Sequence, residues 1–263
     1  MKLKVLVDNN TFIDEYYLGE PALSFYIEEN DTKILFDTGY SNAFLLNANK
    51  MGIDLDNLDY LVLSHGHNDH TGGLLYLKDK DLSKIKLLAH KDVFIGRKDN
   101  GLDVGCPIKL NELKVKEYIE GKEPYRITDN LYYLGQIKRM ISFENNPVGI
   151  KEDGSPDYLD DDSALVYKGK DGLFIITACS HSGICNIILN AKELFPNNKI
   201  VGIIGGFHLL KVDEQLKETI KFLKEEKIND LYPCHCVSLY AKHLMYEISN
   251  VHEVGVGLEI NIE

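Results

Sequence analysis

The stretch Ser64-His65-Gly66-His67-Asn68-Asp69-His70 places three histidines and one aspartate within six positions, in the spacing His-x-His-x-Asp-His. It begins at the end of an apolar run, residues 60–64, and two glycines follow it. Imidazole and carboxylate groups are metal ligands, and one ion could not easily take all four from so short a loop. Two ions roughly 3.5–4 Å apart would spread these ligands over two coordination spheres. The stretch therefore predicts half of a dinuclear metal site.

The composition is that of an ordinary globular protein. The 263 residues suffice for a sizeable core, and we expect residues 1–263 to form a single domain. The net charge of −12 argues against a nucleic-acid partner and against an anionic membrane surface. No segment has the length of a membrane span or the character of a signal peptide, and five cysteines do not indicate a disulfide framework. We therefore expect a cytoplasmic protein with a small-molecule substrate, and homo-oligomerisation stays open.

Short apolar runs recur along the chain and predict many strands with few helices. Several runs are nearly continuous in apolar residues, which is typical of strands covered on both faces. The predicted strands are 2–7, 23–28, 33–36, 60–64, 86–89, 131–134, 164–167, 173–177, 200–204 and 254–257. The predicted helices are 44–51, 187–195, 216–223 with Asp213 as N-cap, and 239–248. Two packed sheets covered by helices are therefore expected.

Three further histidines follow apolar runs and could complete the metal site. They are His181, His208 and His235. Any one of them alone could be a structural histidine, but together with the cluster they favour metal ligands. His90 also ends a predicted strand, and its role stays undecided. Two histidines without such a setting, His243 and His252, are interpreted as structural.

The cluster and the preceding Leu35-Phe36-Asp37-Thr38-Gly39 resemble the metallo-β-lactamase superfamily. More narrowly, the chain resembles the branch that includes the 7,8-dihydropterin-6-methyl-4-(β-D-ribofuranosyl)aminobenzene 5′-phosphate synthases. The supporting segments are Leu18-Gly19-Glu20-Pro21-Ala22-Leu23-Ser24, Thr177-Ala178-Cys179-Ser180-His181-Ser182-Gly183-Ile184, Ile204-Gly205-Gly206-Phe207-His208-Leu209 and Pro233-Cys234-His235-Cys236. The resemblance implies an α/β fold, a four-layer αββα sandwich of two mixed β-sheets flanked by helices, with the metals at one edge of the sheets.

The resemblance also implies how the ligands divide between two ions. It assigns His65, His67 and His181 to the first ion. It assigns Asp69, His70 and His235 to the second. The superfamily usually supplies a bridging aspartate after a later strand, but here that stretch reads Gly205-Gly206-Phe207-His208. His208 could replace this ligand or serve as a proton donor, or the second ion could be weakly held.

Hydrolysis of a small ester is the expected chemistry. Two divalent ions are implied, zinc first, with manganese or iron as alternatives. A hydroxide between such ions is nucleophilic at neutral pH, and Asp69 could orient it while His208 acts on the leaving group or the oxyanion. Arg97 and Arg139 are candidate ligands for a phosphate-bearing substrate, because the arginine fork can bind two oxygens at once.

Two other functions use the same site. A transferase would join a dihydropterin diphosphate to an aminobenzene ribofuranosyl phosphate, as in a methanopterin-type pathway. A non-catalytic protein would use the site to sense a metal or a ligand. A redox enzyme and a nuclease are disfavoured, because the chain leaves no room for a flavin domain and carries a charge of −12.

Cysteines and acidic residues near the candidate ligands favour structural roles. In an extended stretch, alternation would turn Cys234 and Cys236 away from the side that His235 faces. These cysteines, like Cys179, are predicted to be small packed residues. The acidic triplet at 160–162 lies in the loop-like stretch 143–163 and is interpreted as solvated surface. A second irregular stretch, 95–107, predicts a loop over the site.

Overall fold

The computed structural model describes residues 1–263 and contains 17 strands and five α-helices. The strands are β1 (Lys2–Val7), β2 (Ser24–Glu29), β3 (Thr32–Phe36), β4 (Tyr60–Val62), β5 (Lys86–Ala89), β6 (Arg97–Asp99), β7 (Leu102–Asp103), β8 (Glu117–Glu120), β9 (Tyr125–Arg126), β10 (Leu131–Tyr133), β11 (Ile150–Lys151), β12 (Ala164–Lys168), β13 (Leu173–Thr177), β14 (Ile200–Gly205), β15 (Asp230–Pro233), β16 (Asn250–Val251) and β17 (Glu259–Asn261). The helices are α1 (Ala43–Lys50), α2 (Asn68–Thr71), α3 (Ile184–Leu194), α4 (Glu214–Glu226) and α5 (Leu239–Tyr246).

Fourteen strands form two mixed sheets of seven strands each. The first sheet has the order β17-β1-β2-β3-β4-β5-β8, and its strands from β3 to β8 are parallel. The second sheet has the order β16-β15-β14-β13-β12-β10-β9, and its strands from β13 to β16 are parallel. The carboxyl ends of parallel strands are where open α/β sheets bind ligands, and both sheets provide such an edge.

Alternating side chains sort the apolar residues into three clusters that define the layers. Ile34 and Phe36 of β3 face the second sheet, whereas Leu35 faces the opposite side. Phe174 of β13 likewise faces the first sheet, and Ile175 faces outward. Helix α1 covers the outer face of the first sheet, and α3, α4 and α5 cover that of the second. The predicted four-layer αββα sandwich is therefore confirmed.

Most predicted elements agree with the structure to within a few residues, including the Asp213 N-cap, which accepts a hydrogen bond from the amide of Leu216 at 3.0 Å. The predicted strand at 254–257 is wrong. Val256 makes only an isolated bridge with Thr11, because Gly257, at φ +99°, breaks the extended conformation. No helix combines the length and apolar character that a membrane span requires.

The two irregular stretches of the sequence pair with each other. β6 lies between β7 and β11 in a small three-stranded sheet. The carbonyl of Val104, in the first stretch, accepts a hydrogen bond from the amide of Asn68 in the histidine cluster at 2.8 Å. The stretch 95–107 therefore lies beside the candidate site, as the sequence predicts.

Candidate metal centre

The candidate ligands lie on loops that follow parallel strands of both sheets. His65 follows β4, and His67, Asp69 and His70 lie on the same loop and on α2. His181 follows β13 in the second sheet, and His235 follows β15. Because these strand ends meet at one edge of the sandwich, the six predicted ligands come together.

The first three predicted ligands form a compact group of rings. The ring centroids of His65, His67 and His181 are 4.7–4.9 Å apart, and each pair meets nearly edge to face. Nε2 of His65 and both ring nitrogens of His181 are buried without a hydrogen-bond partner. Buried polar atoms are almost always paired, so these nitrogens fit a site that binds a cation.

The other three predicted ligands bring their donor atoms into a triangle. Nε2 of His235 lies 3.3 Å from Nε2 of His70 and 3.3 Å from Oδ2 of Asp69. The third side, from Nε2 of His70 to Oδ2 of Asp69, is 3.7 Å. Ligands at about 2.0–2.1 Å from a tetrahedral ion stand about 3.3–3.4 Å apart, so the triangle suits zinc or an ion of similar size.

Hydrogen bonds outside the donor sets fix the direction of three imidazoles. Oδ2 of Asp37 lies 2.8 Å from Nδ1 of His70 and accepts from the hydroxyl of Ser64 at 2.7 Å. Because the Ser64 proton is used there, its oxygen accepts from Nδ1 of His65 at 2.9 Å. Oδ1 of Asn9 lies 3.0 Å from Nδ1 of His235. In the neutral form of each ring, Nδ1 carries the proton and the lone pair of Nε2 faces the site.

Burial sets the protonation of the histidines. It lowers the pKa of His65 and His181 well below the usual value, with a further contribution from neighbouring histidines. It lowers the pKa of His67 to about 4. Burial alone would also lower the pKa of His70, but nearby carboxylates, Asp69 first, raise it. The first three imidazoles are therefore neutral at pH 7, the form that binds metals.

Two cysteines lie in the site: Cys179 is buried, as the sequence predicts, but lies beside the candidate ligands, and Cys236 lies in the cleft, contrary to the prediction. Cys179 Sγ is within 4.8 Å of candidate donors in both sets. The sulfurs of Cys179 and Cys236 are 3.2 Å apart, and both residues line the cleft. The predicted alternation of side chains does not extend to Cys236, because β15 ends at Pro233 and His235 adopts φ +51°. Cys234 agrees with the prediction and is buried between the sheets.

His208 and His90 have different surroundings. The ring centroid of His208 is 4.4 Å from that of His181, and His208 lines the cleft. It is not one of the residues whose donor atoms converge. Burial lowers its pKa. His90 is buried, and its Nδ1 accepts from the amide of Asp92 at 3.2 Å, capping a short 3₁₀ helix. His90 therefore has a structural role.

The structure gives the two candidate substrate-binding arginines other partners. Arg97 is 3% exposed, and its guanidinium pairs with Asp157 and Asp161, each at 2.6 Å. Its charge is therefore neutralised inside the protein. Arg139 donates to the carbonyls of Glu144 and His181 and lines a separate cavity of about 620 Å³.

The acidic triplet is also placed differently from the prediction. Asp161 and Asp162 are buried, so the interpretation of the whole triplet as solvated surface is wrong. Asp161 accepts from the amide of Gly66 at 2.8 Å, and Asp162 accepts from the amide of Ser182 at 2.8 Å. These carboxylates therefore fix the loops that carry the candidate ligands.

A cleft of about 490 Å³ opens over the two donor sets. It is lined by Asn9, Pro21, Tyr40, His67, Asn68, Asp69, Asp99, Val104, Val148, Cys179, His181, His208, Leu210, His235 and Cys236. No lysine or arginine is among these residues. A ligand in the cleft would meet histidines, two carboxylates, two amides and a few apolar side chains.

Comparisons with known proteins identify the family. Residues 18–98 match the family model of the metallo-beta-lactamase superfamily. The chain is 33% identical to "Uncharacterized protein MJ0448" of Methanocaldococcus jannaschii, over 99% of this chain and 100% of that one. It is 30% identical to the 7,8-dihydropterin-6-methyl-4-(beta-D-ribofuranosyl)-aminobenzene-5'-phosphate synthase of the same organism, over 94% and 91% of the two chains.

A solved structure is similar along nearly the whole length. Tm1679, described as a metal-dependent hydrolase of the beta-lactamase superfamily, is 32% identical with a TM-score of 0.85. The match covers 99% of this chain and 98% of Tm1679. Fold, donor sets and relatives lead to one assignment: this chain belongs to the metallo-beta-lactamase superfamily and resembles its dihydropterin-ribofuranosylaminobenzene phosphate synthase branch.

Proposed function

We propose that the chain is a dinuclear-metal hydrolase that cleaves a small, phosphate-bearing ester. The observation that carries the proposal is the pair of donor sets beneath one cleft, with buried nitrogens of His65 and His181 lacking any protein partner. Zinc fits these donors best, and manganese or iron are the alternatives. Two such ions, when bound, lower the pKa of a coordinated water and supply a nucleophile near neutral pH.

The chain's own residues would orient the reactants. The carboxylate of Asp69 lines the cleft beside His235 and can accept a hydrogen bond from the attacking water, which points the water's lone pair at the substrate. His208 lines the same cleft, and its lowered pKa keeps it neutral at pH 7. Its N–H can then donate a hydrogen bond to the oxyanion that forms during ester cleavage.

The cleft favours a substrate of modest size. Its volume of about 490 Å³ suits a small molecule. Because no lysine or arginine lines it, neutral groups such as Asn9, Tyr40 and Asn68 would contact the polar parts of the substrate. The phosphate in the proposal rests on the similarity to the synthase, whose name specifies a 5'-phosphate.

A transferase is the second candidate. The specific observation in its favour is the 30% identity to the synthase across 91% of that protein. The same donor sets would then activate a diphosphate leaving group toward an aromatic acceptor instead of water. A cleft without basic residues gives no preference for either reaction.

Metal content and activity test the proposal together. Protein purified without chelators or added metal is analysed for metal per chain, and its rates are measured on aryl phosphate esters. Condensation of a dihydropterin diphosphate with an aminobenzene ribofuranosyl phosphate is assayed in parallel. We expect about two equivalents of metal and measurable ester hydrolysis. Condensation without hydrolysis would favour the transferase, and ligand binding without turnover would favour a sensor.

Substitution of the predicted ligands sharpens the test. His67→Ala and Asp69→Ala should each lower metal content and remove activity together, because each deletes a donor atom. His243→Ala is the matched control, since His243 lies exposed on α5 and outside the cleft. Full activity in a metal-free His67→Ala protein would overturn the assignment.

A further inference from the structure

Cys179 is the residue that connects the two donor sets. Its Sγ belongs to the group formed with Asp69, His70 and His235, and also to a group with His65 and His181. Within each group, all donor atoms lie within 4.8 Å of one another. The sulfur therefore lies between the two places where the histidines converge.

The surroundings of Cys179 indicate a ligand more than a packing residue. The nearby ring nitrogens of His65 and His181 are buried without a hydrogen-bond partner, so Cys179 stands beside two groups whose lone pairs fit a cation. Cys179 is 3% exposed, yet it lines the cleft together with the candidate ligands. Cys185, by comparison, lies on the buried face of α3, in the outer apolar cluster of the second sheet, and contacts Thr219.

The loop that carries Cys179 is held in place by its own hydrogen bonds. Ser180 adopts φ +52°, a conformation that costs free energy for a residue with a side chain. Its hydroxyl donates to the carbonyl of Gly206 at 2.7 Å and lies 2.9 Å from the Thr177 hydroxyl. The strained turn therefore fixes Cys179 and His181 together at the end of β13.

We propose that Cys179 is a thiolate ligand whose Sγ bridges the two metal ions. The inference rests on the proposed dinuclear site and adds a seventh donor to the six predicted ones. The sulfur would be able to hold both ions because its distance to candidate donors in each of the two sets is at most 4.8 Å. The sulfur of Cys236 lies 3.2 Å from Sγ of Cys179, and the S–H of Cys236 donates to the carbonyl of Cys179 at 3.7 Å, so Cys236 supports the loop without being a ligand. A thiolate also favours zinc or iron over manganese.

X-ray absorption of the reduced, full-length zinc protein tests the bridge without any substitution. A bridging Cys179 gives each zinc one sulfur neighbour at about 2.3 Å, so the average is about one sulfur per zinc. A sulfur bound to only one of the two ions gives an average of about one half, which would overturn the bridge. Zinc bound with no sulfur neighbour would overturn the ligand role and leave the dinuclear hydrolase standing. Failure to bind zinc would overturn both proposals.

Three cysteine variants identify which sulfur is bound. The protein is loaded with cobalt(II), and thiolate-to-cobalt charge transfer is followed in the near ultraviolet. We expect the band to be lost in Cys179→Ser and retained in Cys236→Ser and in the buried control Cys185→Ser. If the band survives in Cys179→Ser and disappears in Cys236→Ser, the bound sulfur is that of Cys236, and the proposal is refuted. If Cys179→Ser does not fold, the sulfur count of Cys236→Ser decides, because Cys179 is then the one cysteine that lines the cleft: about one sulfur per zinc supports the bridge, and about one half or none overturns it.

Discussion

Asp37 orients one histidine in each donor set through hydrogen bonds, so Asp37→Asn should weaken the binding of both proposed ions. In the natural protein the carboxylate accepts from Ser64 and from His70, and Ser64 in turn accepts from His65. An asparagine that keeps its oxygen on the amide of Ser64 must place its NH₂ group toward the hydroxyl of Ser64 and Nδ1 of His70. Both histidines would then shift to the tautomer that carries its proton on Nε2, the nitrogen that faces the site.

The size of the effect follows from the number of ligands affected. Loss of an outer hydrogen-bond partner typically reduces metal affinity 10–100-fold, or about 1.4–2.7 kcal/mol. Because Asp37 orients one histidine in each set, we expect a loss in this range for each ion. Asparagine has nearly the same volume as aspartate, so the substitution leaves no cavity at this buried position, which is 1% exposed. The fold should therefore survive.

Competition titrations with a chromophoric chelator would measure both dissociation constants. Glu144→Gln is the matched control, because Glu144 is an equally buried carboxylate that accepts from the amides of Cys185 and Asn186 and contacts no candidate ligand histidine. Circular dichroism would check that both variants fold. If Asp37→Asn binds both ions within about twofold of the natural protein, the tautomer argument is refuted.

Three further predictions concern stability. Gly66→Ala should destabilise the fold by about 1–3 kcal/mol, because the new Cβ would clash with Nη1 of Arg97 and with the backbone carbonyl of Val93. Thermal unfolding measures this loss, and Gly96→Ala is a milder control because its Cβ would meet only the Glu152 side chain, at 3.2 Å. Arg97→Met should cost about 3–5 kcal/mol in denaturant unfolding, since it leaves two buried carboxylates unpaired, and a normal stability would contradict the ion-pair role. Burial raises the pKa of Asp162 to about 6, above its unfolded value near 3.8, so the folded protein holds this proton more tightly than the unfolded chain. The free energy of unfolding of chelator-treated protein should therefore fall as the pH rises from about 4 through 6. In Asp162→Asn that part of the pH dependence should disappear, and an unchanged slope would argue against a shifted carboxyl.

Local patterns in the sequence predicted two packed sheets covered by helices and histidines at the ends of strands, and the resemblance to the superfamily implied the four-layer order and the six candidate ligands. Apolar runs such as residues 173–177 indicate buried strands, and each candidate ligand follows such a run. Once parallel strands end at one edge, residues distant in sequence must meet there. His70 and His235 illustrate this, with 165 positions between them and 3.3 Å between their Nε2 atoms.

The errors arise where a tertiary partner decides the role of a residue. Arg97 was a candidate substrate ligand because its fork can bind two oxygens, but its partners Asp157 and Asp161 are 60 and 64 positions away and no local pattern indicates them. The acidic triplet was misread for the same reason. Cys236 was misplaced because the positive φ of His235 cancels the alternation expected of an extended chain. For Asp37 a signal existed, since it stands directly after β3 beside the cluster, but only its contacts reveal what it orients.

The candidate ligands are divided between two sheets, so the two sheets must pack together before either donor set is complete. The loop after β4 belongs to the first sheet, and the loops after β13 and β15 belong to the second. No complete donor set exists until the faces that carry Phe36 and Phe174 have packed together. Metal uptake would therefore be a late step in folding. Each bound ion would hold ligands from both sheets and so stabilise their packing. Enlarging or shrinking a side chain in that shared core, far from any ligand, should then change metal affinity.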